Sequence, residues 1–514
     1  MPARGHDFVA ENDALRDELD ALRDENHTLR DELDAVRDEN HALRDELDAV
    51  REESRVLAGK VTELEARLGQ SSSNSSLPPS SDSLKSRAQR RAEQREAAKN
   101  KRSENTRARG KQPGQEGKYL EMRDDPDHVV VHDPERCDAC GKDLGNAEVE
   151  AVERRQVLDT PDPTIICIEH QSVKKRCSCG VLTAGPFPPE ARAPVSYGPN
   201  VRASALYLVD EQHLSVERTQ DAVSSMLGVS VSSGFISSLV EEAARELEKA
   251  GFVDVLKERL LDEAVLHADE TPDQVGTKTW YFHVATSKLY TYLFASTTRA
   301  KSAPDEAGVL GSFRGVMVHD RLKMYFHSDY QKAKHAICLA HITRELEGVA
   351  AVFSQEPWAR GMKELLLETN DACHAAREAG RTRLGRRRLE DFMARYDALV
   401  EQGLAANPEP VGRPRDYLER KSYNLAKALG DLRSEATFFA RDLRVPFSNN
   451  DAERPLRMVK LHKKISGCFQ SGDHARYFAT IRSYTGTARK HGIGALEVLG
   501  RLFRGDVWMP PLVT

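Results

Sequence analysis

Three acidic residues of the sequence stand where carboxylates could bind metal ions. Asp269 follows the strand-like segment AVLH, Asp320 follows the strand-like segment GVMVH, and Glu453 lies far downstream in a helix-like segment. Hard carboxylate oxygens favour Mg2+ or Mn2+, and a pair of such ions can serve an in-line displacement at phosphorus. A single Asp at a strand end is more often a turn or helix cap. The three acids together predict metal-dependent chemistry on phosphodiesters.

Glu453 lies among cationic residues. A helix that begins near Asn449 or Asn450 would hold it in the first turns of FSNNDAERPLRMVKLHKK (447–464). A carboxylate in such surroundings is typical of a metal site beside bound phosphate. The same helix would present a basic face, which we expect to contact DNA, formed by Arg454, Arg457, Lys460, Lys463 and Lys464.

The segments around Asp269 and Asp320 predict the elements that would hold them. TWYFHVA (279–285) and LYTYLF (289–294) are separated by TSK and predict a hairpin, and residues 299–312 have the length of a helix. Three antiparallel strands, a helix and a strand that carries a second acid follow the order of a ribonuclease H-like fold. Such a fold would place the two aspartates on neighbouring strands, where they could share a metal ion.

Four cysteines form two short turns. Cys137 and Cys140 give C-x-x-C-G, and Cys177 and Cys179 give C-x-C-G, close to the strand-like segments HVVVH and TIICIEH. Four thiolates on two turns suit a structural, tetrahedral Zn2+, because the glycine after each turn leaves backbone N–H groups free to bond the sulfurs. The alternative is a set of scattered or redox-active cysteines. Cys167 lies in an apolar run, and we expect it in a core.

Residues 198–249 predict three helices. LSVERTQDAVSSMLGVSVSSGFISSLVEEAAREL contains a helix, a turn with glycine and a second helix, which Ser232 or Ser233 could cap. This order fits a helix-turn-helix module that contacts DNA, and it fits an ordinary helical bundle as well.

Residues 7–68 contain a heptad repeat in which the segments 15–28, 29–42 and 43–56 are nearly identical. Asn recurs at the a positions, where it fixes register and strand number, and Glu at g can pair with Arg at e of a second chain. The pattern predicts a parallel homodimeric coiled coil, since a single helix would leave the apolar seam exposed. The d positions are Leu15, Leu22, Leu29, Val36, Leu43, Val50, Leu57 and Leu64.

A basic linker follows at residues 69–118. It begins with SSSNSSLPPSSDS, which cannot continue a helix, and it carries 12 basic against 5 acidic residues. A second basic segment, residues 444–504, has 12 basic and 4 acidic residues, although the whole chain has a net charge of -6. Two distant basic segments favour a polyanionic partner, while each alone could be a solvated surface. The linker residues that we expect to contact DNA are Arg87, Arg90, Arg91, Arg102 and Lys111.

For the chain as a whole we predict a multidomain α+β protein. A length of 514 residues exceeds what one core usually holds, and no apolar run approaches the roughly 18 residues of a membrane-spanning helix. The N-terminal residues have no apolar signal-peptide core, so we expect a cytoplasmic protein.

These segments together resemble the insertion-sequence-66 transposases, the TnpC-type proteins, over most of the chain. The motifs that carry the resemblance are the paired cysteine turns, the strand before Asp320, SSSNSSLPPSSD, GKQPGQEG, LHADETP, CLAHITREL, SNNDAERPLR and YTGTARKHGI. The resemblance implies an Asp-Asp-Glu triad at Asp269, Asp320 and Glu453, a ribonuclease H-like catalytic domain and small accessory proteins encoded beside the transposase. The expected domains are the zipper at 7–68, the linker at 69–118, a zinc module at 119–190, a helical module at 198–255, the catalytic domain at 260–345 and 446–503, and a helical insertion at 346–445.

The sequence departs from the family pattern at two places. Arg321 and Leu322 follow Asp320, where the family usually has Gly and Tyr, and the helix after Cys338 lacks the usual Trp and paired arginines. All three acids are present, so we expect DNA cleavage at the element ends and strand transfer. The alternatives are a non-catalytic zipper and zinc regulator, or a structure-specific nuclease of the same fold. The residues whose roles stay open are Tyr325, His341 and Arg344, and His341 could contact phosphate or be purely structural.

Overall fold

The computed structural model describes residues 122–159, 165–188, 190–191, 193–351, 355–409 and 417–512, together with residues 18, 25, 28, 36, 37, 43, 44, 46–51 and 54. The chain divides into two compact units. The first unit contains Leu261–Asp269 and Leu310–Ala452. The second contains the described residues from 122 to 260, Glu270–Val309 and the residues from Glu453 onward.

Most of the predicted zipper lies outside the described residues. Residues 46–51 are helical, and the side chains of Leu43, Leu47 and Val50 are exposed. Exposed seam residues are compatible with pairing to a second copy, and the coiled coil stays a prediction. The linker also lies outside the described residues, and with it the predicted DNA contacts Arg87, Arg90, Arg91, Arg102 and Lys111.

The cysteine-containing part of the second unit has one small hairpin. Strands β1 (Lys174–Arg176) and β2 (Leu182–Ala184) pair antiparallel. The described residues of the strand-like segments HVVVH and TIICIEH belong to no strand, because an apolar pattern gives a strand only where a neighbouring strand takes its hydrogen bonds. Cys167 lies in the second of these segments and is exposed, so the expectation of a core residue was wrong.

The predicted three helices of residues 198–249 are present, and a fourth helix follows. Ser232 caps the third of them, since its hydroxyl accepts a hydrogen bond from the backbone N–H of Phe235. Gly228 ends the second with φ of 68°, a left-handed conformation that costs glycine little. A π-helical segment, Tyr207–Glu211, extends the first. The four helices are α1 (Pro199–Leu206), α2 (Val216–Leu227), α3 (Ser233–Lys249) and α4 (Phe252–Leu261).

Five strands form a sheet in the order β5-β4-β3-β6-β7. Strands β4 and β5 form the predicted antiparallel hairpin, whereas β3, β6 and β7 run parallel to one another in neighbouring pairs. The helix predicted at 299–312 is shorter, α5 (Ser302–Ala307), and ends at Gly308 with φ of 77°. The strands are β3 (Val265–Val275), β4 (Lys278–Thr286), β5 (Thr291–Ser296), β6 (Val316–His319) and β7 (Lys334–Ile337).

The helices of the first unit enclose a continuous apolar core with β6 and β7. Val318 and Ile337 of these strands are buried in one cluster with Leu346, Trp358 and Tyr396. Two short 3-10 segments, Lys323–Phe326 and Ser328–Tyr330, lie between the strands. The helices are α6 (Leu339–Ala350), α7 (Glu356–Glu378), α8 (Arg386–Ala406), α9 (Tyr417–Asp431), α10 (Arg433–Ala436) and α11 (Phe438–Arg441).

The last three helices are α12 (Asn450–Ser466), α13 (Gly472–Lys490) and α14 (Ala495–Phe503). In the second unit, α13 covers the edge of β5. The hydroxyl of Ser483 accepts a hydrogen bond from the N–H of Leu293 at 2.8 Å, and the hydroxyl of Thr487 accepts one from the N–H of Thr291 at 3.1 Å. Buried small polar residues on α13 thereby satisfy backbone groups that an edge strand would otherwise expose.

Candidate active site and metal centres

The parallel register between β3 and β6 bears on the first two predicted acids. Val265 pairs with Val316 and His267 pairs with Val318, so in this stretch each residue of β3 faces the residue 51 positions later. Asp269 and Asp320 follow the last of these pairs by two residues and are also 51 positions apart. Neighbouring strands lie about 4.8 Å apart and residues at matching positions share one face of a sheet. A register that continued to these two residues would set the aspartates side by side, as the sequence predicts.

Glu270, the next acid along β3, is already engaged. Successive residues of a strand point to opposite faces, so Glu270 lies on the face away from Asp269. Its buried carboxylate accepts hydrogen bonds from Nε of Arg299 at 2.9 Å and from Nη2 of Arg299 at 2.6 Å. The carboxylate of Glu270 is thus held in an ion pair with Arg299, and Asp269 lies on the opposite face of β3.

Asp320 directly follows β6 and lies in a tight turn. Its Oδ1 accepts a hydrogen bond from the N–H of Leu322 at 2.8 Å. The preceding residue, His319, is buried, and its Nε2 lies 2.9 Å from Nδ1 of His335. Burial lowers the pKa of His319 to about 3, so its ring is neutral at ordinary pH. Asp320 thus caps this turn, as an Asp at a strand end often does. The hydrogen bond from Leu322 also fixes the position of its carboxylate.

Of the residues whose roles the sequence left open, Tyr325 packs beside this turn, whereas Arg344 donates a hydrogen bond to the carbonyl of Ala340 within α6. Tyr325 is buried and stacks on the His319 ring, with centroids 4.7 Å apart. Arg321, one of the departures from the family pattern, makes an ion pair with Glu345 of α6. His341 lies in the first turn of α6, where one of its ring nitrogens is within 4.8 Å of Sγ of Cys338. These contacts favour a structural role for Tyr325 and Arg321.

Asn449 ties the start of α12 to β3 within the first unit. Its Oδ1 lies 2.8 Å from Nδ1 of His267, and its Nδ2 donates to the carbonyl of Ala268 at 2.9 Å. Its backbone N–H donates to Sγ of Cys338 at 3.2 Å. The sequence suggested a helix cap at Asn449 or Asn450, but it gave no signal that this amide binds the strand that carries Asp269.

Glu453 lies in the first turns of α12, as predicted. Its Oε2 accepts a hydrogen bond from Nη2 of Arg457 at 2.7 Å. Its Oε1 is buried and has no hydrogen-bond partner among the described residues. Lys463, further along the helix, pairs with the buried Asp273 at 3.3 Å, while Arg454 and Lys464 are exposed.

The predicted ligands have the right chemistry for magnesium or manganese. Asp269, Asp320 and Glu453 would each offer carboxylate oxygens, which Mg2+ and Mn2+ prefer. A buried carboxylate oxygen normally accepts a hydrogen bond, and a metal ion bound to Oε1 of Glu453 would take the place of that missing bond.

The four predicted zinc ligands lie on two similar turns. The N–H of Gly141 donates to the carbonyl of Cys137, and the N–H of Gly180 donates to the carbonyl of Cys177, at 2.8 and 2.9 Å. Hydrogen bonds within each turn lower the pKa of the Cys137 and Cys177 thiols, and those from backbone N–H groups contribute most. Within the described residues, no three of the four sulfurs lie within 4.8 Å of one another. Each turn is thus prepared for thiolate ligation, although the two pairs are not brought into one cluster.

Comparison with known families gives the class of the protein. A model described as the zinc-finger binding domain of transposase IS66 matches residues 134–180, which include the two cysteine turns. A second model, Transposase IS66 family, matches residues 194–477, and a family of unknown function matches residues 25–121. Both named models describe transposases.

The second model covers more than half of the chain, and the protein belongs to the IS66 transposase family. No curated protein matches it. Among the described residues, no helix is both long enough and apolar enough to cross a membrane.

Proposed function

We propose that this protein is a DNA transposase that uses Asp269, Asp320 and Glu453 to hold two divalent metal ions, cuts phosphodiesters at the ends of its element and joins the freed 3'-OH to target DNA. The observation that carries the proposal is the parallel β3–β6 register, which would set Asp269 level with Asp320 if it continued for two more residues. Membership of the transposase family supplies the class of reaction.

The sheet supports a ribonuclease H-like catalytic domain. A hairpin lies on one side of β3, and two parallel strands lie on its other side, in the order β5-β4-β3-β6-β7. The first acid is on the central strand and the second follows its parallel neighbour. The helical insertion predicted at 346–445 would contain α7 to α11.

The protein's own side chains would bind and orient the DNA in this reaction. Bound Mg2+ or Mn2+ would supply charge stabilisation at the phosphate and activation of the attacking oxygen. Asp269 and Asp320 provide ligands fixed by the sheet, and Asn449 fixes the start of the helix that brings Glu453. Arg457 holds one oxygen of Glu453 at 2.7 Å and leaves the other for the metal.

The remaining parts would assemble and anchor the complex on DNA. We propose structural Zn2+ at Cys137, Cys140, Cys177 and Cys179, which the family match at 134–180 supports. The basic face of α12 and the basic linker would follow the phosphate backbone, and the zipper would pair two copies so that both element ends lie in one complex. Accessory proteins of the same element and a cytoplasmic location on chromosomal DNA belong to the same proposal.

Replacement of the acids tests the proposal. Asp269→Asn, Asp320→Asn and Glu453→Gln should each abolish Mg2+- or Mn2+-dependent nicking of DNA that carries the element ends, with unchanged circular dichroism. Asp221→Asn, at an exposed position on α2, is the matched control and should cut normally.

The outcomes also separate the rival functions. Cleavage that survives Asp269→Asn would remove these acids from the active site. Cleavage without joining would identify a nuclease, and DNA binding with neither reaction would identify a regulator.

A further inference from the structure

The second unit contains a cavity that the proposed cleavage chemistry does not use. Its volume is about 200 Å³, and it is open to the surface on one side. Five elements contribute to its wall: the π-helical segment, α2, α3, α12 and α13. The side chains that matter for its chemistry are Asp210, Ser237, His462, Phe469 and His474.

The lining of this cavity includes buried polar atoms that have no hydrogen-bond partner among the described residues. Asp210 is 3% exposed, and its Oδ1 has no hydrogen-bond partner among the described residues. Nδ1 of His462 is also buried and has no hydrogen-bond partner among the described residues. An unpaired buried polar group costs about 1 to 3 kcal/mol, so such groups usually meet a water molecule or a ligand.

The backbone around Asp210 is also unusual. Asp210 lies in the π-helical segment Tyr207–Glu211, and such irregularities occur often at functional sites. Three residues later, His213 has φ of 55°, the one positive value of a non-glycine residue within the described chain. Its carbonyl accepts a hydrogen bond from the hydroxyl of Ser466 on α12. Strained conformations of this kind persist where the surrounding structure enforces them, commonly at binding sites.

The interior of the cavity suits a single flat ring. A volume of about 200 Å³ is several times that of one water molecule, about 30 Å³, and lies below the roughly 300 to 1,000 Å³ of sites for drug-sized ligands. Phe469 stacks on His462 with centroids 4.1 Å apart and planes 3° apart, which gives the cavity a rigid aromatic wall. Ile236 and Val240 add apolar surface.

Asp210 and His462 of the lining can together donate and accept hydrogen bonds. Burial raises the pKa of the Asp210 carboxyl well above its usual range, so it can donate as a neutral acid. Burial, reinforced by Arg482, lowers the pKa of His462 to about 4, so its ring is neutral. A heteroaromatic ring with both donors and acceptors on its edge matches these groups.

The helix N-termini at the cavity favour an anion. Ser215 and Val216 begin α2, and Gln470 and His474 flank the start of α13, so the N-termini of both helices lie at the cavity. Helix N-termini present unpaired backbone N–H groups and bind phosphate well.

We propose that this cavity binds one nucleotide, with its base inside and its phosphate at the N-termini of α2 and α13. The inference deepens the proposed function and rests on it for the source of the nucleotide, which we take to be an unpaired base of the DNA being processed. Enzymes that act on DNA often turn a base out of the helix into a pocket with aromatic walls. A free mononucleotide offers the same chemistry and is the other source.

The test compares full-length protein on two labelled duplexes, one with a single unpaired adenine and one with an abasic site at that position. Wild type should bind the first about tenfold more tightly, since a stacked base contributes on this order. Ser237→Phe, which fills the cavity, should abolish the preference, and Val240→Phe on the same face of α3 should do so independently. Ser238→Phe is the matched control, because Ser238 is exposed and outside the cavity.

The outcomes separate the two sources and the two proposals. Thermal stabilisation by free deoxyadenosine monophosphate in wild type but not in Ser237→Phe, without any preference between the duplexes, would assign the site to a soluble nucleotide. No response to either probe, or a preference that persists in both cavity-filling variants, would overturn the inference. Asp269→Asn should keep the preference, so a failure of the catalytic proposal would leave this result unaffected.

Discussion

The side-chain amide of Asn449 lies 2.8 Å from Nδ1 of His267, although the two residues are 182 positions apart in the chain. The same amide donates to the carbonyl of Ala268, the residue before Asp269. Asn449 directly precedes α12, so these bonds fix where that helix starts relative to β3. The side chain of Asn449 therefore connects the strand of the first proposed acid to the start of the helix that carries the third.

Asn449→Ala should lower both stability and DNA cleavage. The substitution removes two buried hydrogen bonds, one to the His267 ring and one to the Ala268 carbonyl, which costs about 1 to 3 kcal/mol of unfolding free energy. Urea unfolding and metal-dependent nicking would measure the two effects. Asn450→Ala, at the exposed next position, should change the unfolding free energy by less than about 0.5 kcal/mol. Equal effects of the two variants would contradict this role for Asn449.

Cys137→Ser and Cys177→Ser should each release zinc from the purified protein. A tetrahedral structural site loses most of its affinity when one of four thiolates is removed, and its fold depends on the metal. Metal analysis by mass spectrometry of the whole protein gives the stoichiometry. Cys167→Ser is the control, because Cys167 is exposed and lies outside both turns. Wild-type protein that contains no zinc would contradict the assignment.

Glu211→Gln should destabilise the second unit strongly. The Glu211 carboxylate is buried. It forms one ion pair with Arg482, at 2.7 Å, and a second with Arg489. Removal of one partner leaves buried positive charge, and the expected loss is about 3 kcal/mol. Asp506→Asn breaks the exposed Arg501–Asp506 pair instead and should cost less than about 1 kcal/mol. Thermal unfolding of both variants tests the contrast.

His462 should make the protein less stable as the pH falls. Burial lowers its pKa in the folded state to about 4, with help from Arg482, whereas an unfolded histidine titrates near 6.5. Between these values the unfolded chain binds more protons, so stability is full above pH 6.5 and is lost as the pH falls towards 4.

His462→Phe isolates this contribution and keeps the stack on Phe469. From pH 7 to pH 4, the variant should lose less unfolding free energy than wild type, by on the order of 2 kcal/mol. Urea unfolding at several pH values measures the difference. Parallel pH profiles would show that the protonation of His462 is not coupled to folding.

Several local elements were predictable because their signals are short-range. The hairpin of β4 and β5, the three helices before α4 and the Ser232 cap each depend on alternation, periodicity or one side-chain hydrogen bond. The end of β3 was not predictable. The strand continues through Asp269 to Val275, where it bridges to Phe469, a residue almost 200 positions later.

The sequence by itself determined the identities of the three acids, the two cysteine turns, the basic segments and the family to which the chain belongs. Only the tertiary structure decided that β3 and β6 pair in parallel, that Glu270 is held by Arg299, and that Asn449 bonds to β3. The physical reason is that residue type and spacing record local backbone preferences. Strand register and long-range hydrogen bonds depend on which surfaces pack together, and the packing of the whole unit fixes them.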